Sequence, residues 1–352
     1  MRRLGRDACR DWLNETSEQR LEALFTQANR VRHSTVGDEV HVRALLEISN
    51  FCTRECHYCG LRAERLGLAR YRMSPEEILA CALDVWRQGY RTLVLQAGED
   101  PGLTRDAISD LVHRIKSETD LAITLSLGER SPRSLAAWRR AGADRYLLRF
   151  ETSNRQLYRR LHPPSRSGAP ERLQLLRLLQ DLGYEVGSGV LVGLPEQTVG
   201  DLAEDLEQFI RLDPDMIGIG PFLPHPHTPL GQQPTMGIAR TIGLSYRMLA
   251  LSRILCPEAN MPCTTALSVA DLRGGLPRAL DRGANVVMVN VTPEIYRRAY
   301  DIYPGKATAH EPGQDLERLR QQLAALGRSI ATGPGARVRR PCAGREAIAP
   351  AQ

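Results

Sequence analysis

The sequence predicts an α/β protein built on a (β/α)8 TIM-type barrel, with an N-terminal helical cap and a short C-terminal extension. Three observations carry that expectation. Eight short runs rich in β-branched and aliphatic residues recur along the chain. Helical segments separate them in strict alternation, the mark of parallel strands joined by crossover helices. Eight is also the number of strands at which such a sheet closes on itself.

Residues 1–40 read as two helices. Ser17-Glu18-Gln19-Arg20-Leu21 opens one of them, and Leu21, Leu24, Phe25 and Ala28 fall on a single face. The barrel is expected over 41–305. Its strands are Val42–Ser49, Thr92–Ala97, Ala122–Leu127, Arg145–Phe150, Glu185–Val192, Met216–Gly220, Pro262–Ala266 and Asn285–Asn290. Between them, Ser74-Pro75-Glu76-Glu77 places a capping serine, a first-turn proline and two acids at the positive end of a helix dipole. Ser131-Pro132 opens another helix, and Gly89, Gly142 and Gly183 close three. A doubly wound open sheet is the rival architecture. Gly187-Gly189 and Gly218-Gly220 do not support it, because neither pair opens a helix in a dinucleotide-binding frame. Residues 306–352 are expected to be a last helix at about 314–328 followed by a loose tail from 331.

Composition narrows the function class. At 352 residues and 42% hydrophobic content the chain can bury a large core, built on aliphatic residues because aromatics are only 5%. The formal charge is +6, carried almost wholly by arginine; Lys116 and Lys306 are the only lysines. The arginines alternate with acids, and the one basic cluster, Arg337, Arg339 and Arg340, is short, so no nucleic-acid surface is expected. No apolar run approaches the roughly 18 residues of a membrane span. The polar N-terminus lacks the apolar stretch of a signal peptide. Together with scattered cysteines, which do not form a disulfide framework, this predicts a cytoplasmic protein with reduced thiols.

Three of the eight cysteines stand together, in Cys52-Thr53-Arg54-Glu55-Cys56-His57-Tyr58-Cys59. The motif follows the first strand directly, at the carboxyl end where barrel enzymes place their chemistry. Three thiolates can bind three irons of a [4Fe–4S] cubane and leave the fourth iron open. An open iron can chelate the amino and carboxylate groups of S-adenosylmethionine and pass an electron to its sulfonium. A zinc site is the other reading, with His57 or His41 as fourth ligand.

The spacing, with Tyr58 before the last cysteine, resembles the signature of the radical S-adenosylmethionine (SAM) superfamily. Longer strings are more particular. Glu47-Ile48-Ser49-Asn50-Phe51-Cys52, Tyr58-Cys59-Gly60-Leu61-Arg62 and Tyr71-Arg72-Met73-Ser74 resemble the HydE family of [FeFe]-hydrogenase maturases. Leu95-Gln96-Ala97-Gly98-Glu99-Asp100-Pro101, the run from Arg145 to Thr152, the run from Gly218 to Pro226, Thr264-Thr265-Ala266 and Tyr303-Pro304-Gly305-Lys306 extend the likeness over about 20–306. Methylornithine synthase and, further off, biotin synthase belong to the same barrel group.

The resemblance implies a radical SAM enzyme with Cys52, Cys56 and Cys59 on the cluster. It implies Gly98, Glu99 and Asp100 beside the methionine amino group, Glu151 at the ribose or methionyl part, and the Tyr58 backbone at the adenine. Thr264, Thr265, Met288, Tyr300 and Tyr303 would line the substrate cavity. Arg149, two residues before Glu151, would share its face of the fourth strand as a catalytic and substrate-binding cation. His225 is either a substrate contact or a turn residue. Some relatives carry an accessory cluster after the Tyr-Pro-Gly-Lys segment; Ala307-Thr308-Ala309-His310-Glu311 has no cysteine, and none follows until Cys342, so no second cluster is expected. The implied partners are a small-molecule substrate, the maturases HydG and HydF, and a low-potential electron donor. The alternatives are a methylornithine-synthase-like radical mutase and a non-enzymatic iron–sulfur electron carrier. Sulfur insertion of the biotin-synthase kind is disfavoured, since only Cys263 falls on a barrel strand. Small and polar inward residues, Ser126, Gly187, Gly189, Thr264 and Thr265, predict an internal cavity closed to bulk water, with Arg149 as its main positive charge.

Overall fold

The computed structural model describes residues 4–163, 171–306 and 316–339. Eight parallel strands form the expected barrel: β1 Glu39–Ser49, β2 Thr92–Ala97, β3 Ala122–Ser126, β4 Arg145–Leu147, β5 Glu185–Val192, β6 Met216–Pro221, β7 Pro262–Cys263 and β8 Val286–Asn290. They neighbour one another in the order β6-β5-β4-β3-β2-β1-β8-β7. The seam between β6 and β7 is closed by a parallel bridge from Met216 to Asn260 and by Thr264 Oγ1 donating to Ile219 O at 2.9 Å. A two-residue strand, β9 Ser329–Ile330, adds outside the barrel through Glu39 and Val40.

Strand alternation sorts β1 between two environments. Ala44, Leu46 and Ile48 join the apolar layer under the helices, whereas Leu45 faces the barrel interior. The helix Pro75–Arg87 starts as its residues require: Ser74 Oγ accepts from Glu77 N at 3.2 Å and Glu77 Oε2 accepts from Ser74 N at 2.7 Å. The first two helices, Arg6–Asn14 and Glu18–Val36, pack on the helices Val199–Leu212 and Ile238–Leu255 outside the barrel wall.

Three expectations need correction. β4 ends at Leu147 rather than Phe150; regular pairing resumes only as a bridge between Glu151 and Val190. β7 is two residues long, because Thr264 caps the helix Thr265–Ala270 instead of continuing the strand. The described part of the tail is not loose. It runs beneath the barrel, where Pro334 O accepts from Thr92 and Arg145 at 2.8 and 3.0 Å, and Gly335 O accepts from Arg43 and Asn260 at 3.1 and 3.0 Å. Buried donors at the strands' amino ends need acceptors, and this segment supplies them. Residues 340–352, with Arg340 and Cys342, and the 307–311 stretch of the accessory-cluster expectation lie outside the described residues.

Candidate active site

The chain leaves β1 at Ser49 and enters a long loop that carries Cys52, Cys56 and Cys59 over the carboxyl mouth of the barrel. Neighbouring elements hold this loop from several sides. Asn50 Nδ2 donates to Ala69 O and Ala299 O at 2.8 and 2.7 Å, His57 N to Leu161 O at 2.9 Å, and Gly60 N to Ile302 O at 2.9 Å. Two glycines make the close approaches. A Cβ at Gly60 would lie 2.1 Å from Asp301 O, and one at Gly98 would lie 2.3 Å from Phe51 O and 2.7 Å from Cys52 Cβ.

All three cysteines line one cavity of about 300 Å³ that descends into the barrel. Cys56 is buried, and Cys52 and Cys59 are partly exposed. Burial raises all three thiols, Cys56 to about 12, so bound cationic iron is what would favour their thiolates. Among the described residues no three His, Cys, Asp or Glu side chains gather on a single ion. Three thiols on the wall of one cavity suit a cubane, in which each thiolate takes its own iron. His41, the other proposed zinc ligand, sits at the opposite end of the barrel against Gly335.

The predicted cofactor residues divide. Gly98, Glu99, Tyr58 and Glu151 line the cavity. Burial pushes the Glu99 carboxyl up, and its Oε1 accepts from Glu129 N at 3.0 Å. Glu151 sits at φ 65°, in the left-handed region that costs a side-chain-bearing residue energy, and it is held there between Arg149 Nε at 3.1 Å and Tyr58 Oη at 3.4 Å. The shared face of Arg149 and Glu151 is thus set by this turn and not by strand alternation. Asp100 does not line the cavity. Its carboxylate accepts from Arg72 Nε and Nη2 at 2.6 and 2.5 Å, from Ser49 Oγ at 2.6 Å and from Gly102 N at 2.8 Å. Its neighbour Glu99 turns in, Asp100 turns out, and every strong acceptor position is filled.

On the substrate side, Arg149, Ser126, Thr264, Thr265, Met288, Tyr300 and Tyr303 all line the same cavity. Arg149 Nη2 also donates to Val190 O at 2.5 Å, in space left by Gly220, where a Cβ would approach the guanidinium at 3.2 Å. Gly187 and Gly189 do not open the interior as expected. The place of a Gly187 side chain is taken by Met216 and Leu147, and Gly189 lets β5 and β6 approach, its Cβ position lying 2.2 Å from Gly218 O. The cavity formed by the protein atoms is partly open to solvent. His225 is a clamp, not a lining residue. Its Nε2 meets Asp301 Oδ2 at 3.1 Å, and its Nδ1 accepts from His227 N at 3.1 Å, so Nε2 carries the proton in the neutral ring.

Sequence reasoning missed several lining residues. Arg54, Arg172 and Lys306 bring three more cations to the cavity, and Gln96 donates to Tyr300 Oη at 3.2 Å. Lys306 is buried against the equally buried Glu47 of β1. Arg54 stood inside the cysteine motif and Lys306 inside a quoted string, so both were discoverable. Arg172, at the start of a helix far along the chain, carried no local signal.

The chain matches the radical SAM superfamily over residues 46–209. It is 48% identical to the [FeFe] hydrogenase maturase subunit HydE of Thermotoga maritima, over 82% of this chain and 81% of that one. Identity to 3-methylornithine synthase of Methanosarcina acetivorans is 29%, over 81% and 79%. A crystal structure of methylornithine synthase (PylB) superposes with a TM-score of 0.80 at 25% identity, covering 94% of each chain.

Proposed function

This chain belongs to the radical SAM superfamily and, within it, to the family of the [FeFe]-hydrogenase maturase HydE, and on that premise we propose how its residues divide the work. It is a radical SAM enzyme of HydE type, with a [4Fe–4S] cluster and SAM as cofactors. The observation that carries the assignment of roles is that the three cysteines, Glu99, Glu151, Arg149 and Thr264 face one cavity.

The cluster and SAM together supply a one-electron cleavage that yields methionine and a 5′-deoxyadenosyl radical. The chain's own residues do the rest. Cys52, Cys56 and Cys59 hold three irons. Glu99 accepts hydrogen bonds from the methionyl ammonium, a charge-assisted contact that would also keep its carboxyl ionised. Glu151, fixed by Arg149 and Tyr58, accepts from ribose hydroxyls. Arg149 attracts an anionic substrate, and Thr264, Thr265, Met288, Tyr300 and Tyr303 enclose it close to the radical carbon. The substrate is a small sulfur-containing or organometallic iron precursor used in assembling the hydrogenase cofactor. HydG, HydF and a low-potential electron donor are the proposed partners, and the cytoplasm the proposed site of action. Among the described residues no helix is long and apolar enough to cross a membrane.

Anaerobic reconstitution is expected to load about four irons per chain, and Cys52→Ala, Cys56→Ala or Cys59→Ala each to abolish loading. Reduced holoprotein is expected to convert SAM to 5′-deoxyadenosine and methionine. Arg149→Ala should keep the cluster and lose product, with uncoupled 5′-deoxyadenosine persisting and SAM bound more weakly because Glu151 loses one of its two tethers. A loaded protein that binds no SAM would instead be an electron carrier. The similarity to methylornithine synthase supports a second reading, a radical mutase acting on an amino acid. Turnover of an amino acid in the absence of any iron precursor would establish it.

A further inference from the structure

Beside Cys56 the cavity wall carries two guanidiniums that share one carboxylate. Arg54 reaches from within the cysteine motif, and Arg172 from the start of the helix Arg172–Asp181. Glu129 lies behind both: its Oε2 accepts from Arg54 Nη1 at 3.2 Å and its Oε1 from Arg172 Nε at 2.8 Å. The three side chains are 8%, 9% and 6% exposed, so water screens them little. Arg54 and Arg172 line the cavity and Glu129 does not, which puts the positive groups in front and the shared negative one at the back. Arg172 Nη1 is tied to Arg149 O at 2.8 Å, so its orientation is set from two sides. Glu99 also faces the cavity and forms an ion pair with Arg54 Nε at 3.9 Å without a hydrogen bond, and the methionyl ammonium proposed for it would take up that charge.

Two guanidiniums turned toward the cavity, with the carboxylate they share behind them, favour an anion at that wall. The cysteine loop provides the place for one. A [4Fe–4S]2+ core held by three thiolates is a monoanion, and its one-electron reduced form a dianion. Cations fixed beside it favour the dianion more, so they make reduction easier.

We propose that Arg54 and Arg172, held in place by Glu129, are the counter-charges of the cluster and set its reduction potential. The inference rests on the cluster assigned to Cys52, Cys56 and Cys59. It gives Arg54 and Arg172 a task before SAM arrives, separate from any contact with the cofactor's carboxylate. Glu129 acts through them and is a positioning residue.

The test is a midpoint potential, measured on anaerobically reconstituted full-length holoprotein without SAM by EPR-monitored redox titration. Arg172→Met and Arg54→Met are each expected to shift the potential to more negative values at unchanged iron content. Arg172→Lys, which keeps the charge, should restore most of the shift. Glu129→Gln, which still accepts one guanidinium N–H but carries no charge, should shift the potential the other way. If Arg54→Met does not load iron, Arg172→Met and Glu129→Gln carry the test, since neither lies in the cysteine loop. Full loading with an unmoved potential in Arg172→Met would overturn the proposal, as would a negative shift in Glu129→Gln. A wild-type protein that loads no cluster would overturn the cluster assignment itself, a distinguishable failure.

Discussion

Gly98 decides how closely the end of β2 can approach the cysteine loop. A side chain there would strike Phe51 O and Cys52 Cβ, and backbone cannot yield as the end of a flexible side chain can. Gly98→Ala is expected to cost about 1–3 kcal/mol and to lower iron loading, read by denaturant unfolding and iron analysis. Asp301 acts at the same scale from the opposite side of the loop. The hydrogen bond from His225, and after it that from Arg65, hold the carboxyl down at about 2 although burial opposes them. A depressed folded-state value stabilises the protein above the ordinary carboxylate range and loses its effect as pH falls through the folded value. Asp301→Asn should therefore cost about 1–2 kcal/mol near neutral pH. That deficit should shrink from about pH 4 toward pH 2. A deficit that stays constant over this range would show that the charge of Asp301 is irrelevant.

At the scale of elements, the stretch after β8 behaves as a wall bolted over the mouth. Tyr296 stacks on Tyr71 with centroids 4.8 Å apart and donates to Glu77 Oε1 at 2.6 Å. Arg65 reaches Asp301 at 2.7 Å, and Lys306 ends the described stretch on Glu47 inside the barrel. These contacts hold the segment with Tyr300 and Tyr303 on the cavity wall. Lys306→Met would strand Glu47, whose carboxyl burial already pushes up, and is expected to cost about 3–5 kcal/mol near neutral pH. The loss should lessen at lower pH, where the stranded carboxyl takes a proton, and the double variant Glu47→Gln with Lys306→Met should recover most of it. Chemical denaturation of the three variants at two pH values reads both effects.

For the molecule as a whole, the barrel is closed differently at its two ends. The cysteine loop and the post-β8 wall cover the carboxyl end, and residues 331–339 cover the amino end. Besides the carbonyl contacts of Pro334 and Gly335, Arg337 reaches Asp213 at 2.8 Å and Glu258 at 3.4 Å, and Arg339 reaches Asp215 at 3.0 Å. Gly335 has φ 66°, and a Cβ there would lie 2.7 Å from His41. Gly335→Val should dislodge the segment and leave the buried donors of Arg43, Thr92 and Asn260 without acceptors, at about 1–3 kcal/mol for each group left unpaired. A lowered melting temperature, with faster amide exchange at the amino ends of β1 and β2, is the expected result. Unchanged exchange there would mean that the barrel floor stands without its tail.

The sequence by itself determined the barrel and the position of the three cysteines on it. Those features are local: strand and helix periodicity, capping residues and a three-thiol spacing all act within a few residues of chain. The same holds for Ser74 at its helix start. What only the tertiary structure decided was where charges come to rest. Glu99 and Asp100 are adjacent in sequence, yet one faces the cavity and the other is consumed by Arg72, a partner 28 residues away. Arg54, Glu129 and Arg172 come from three distant segments, and no spacing announces that they meet. The tail reads as loose because its residues are small, kinked and polar, but buried donors at the barrel floor capture its carbonyls. A buried ionic or polar group takes its partner from whatever the fold brings within hydrogen-bond reach, and that distance is set by the closed barrel rather than by separation along the chain.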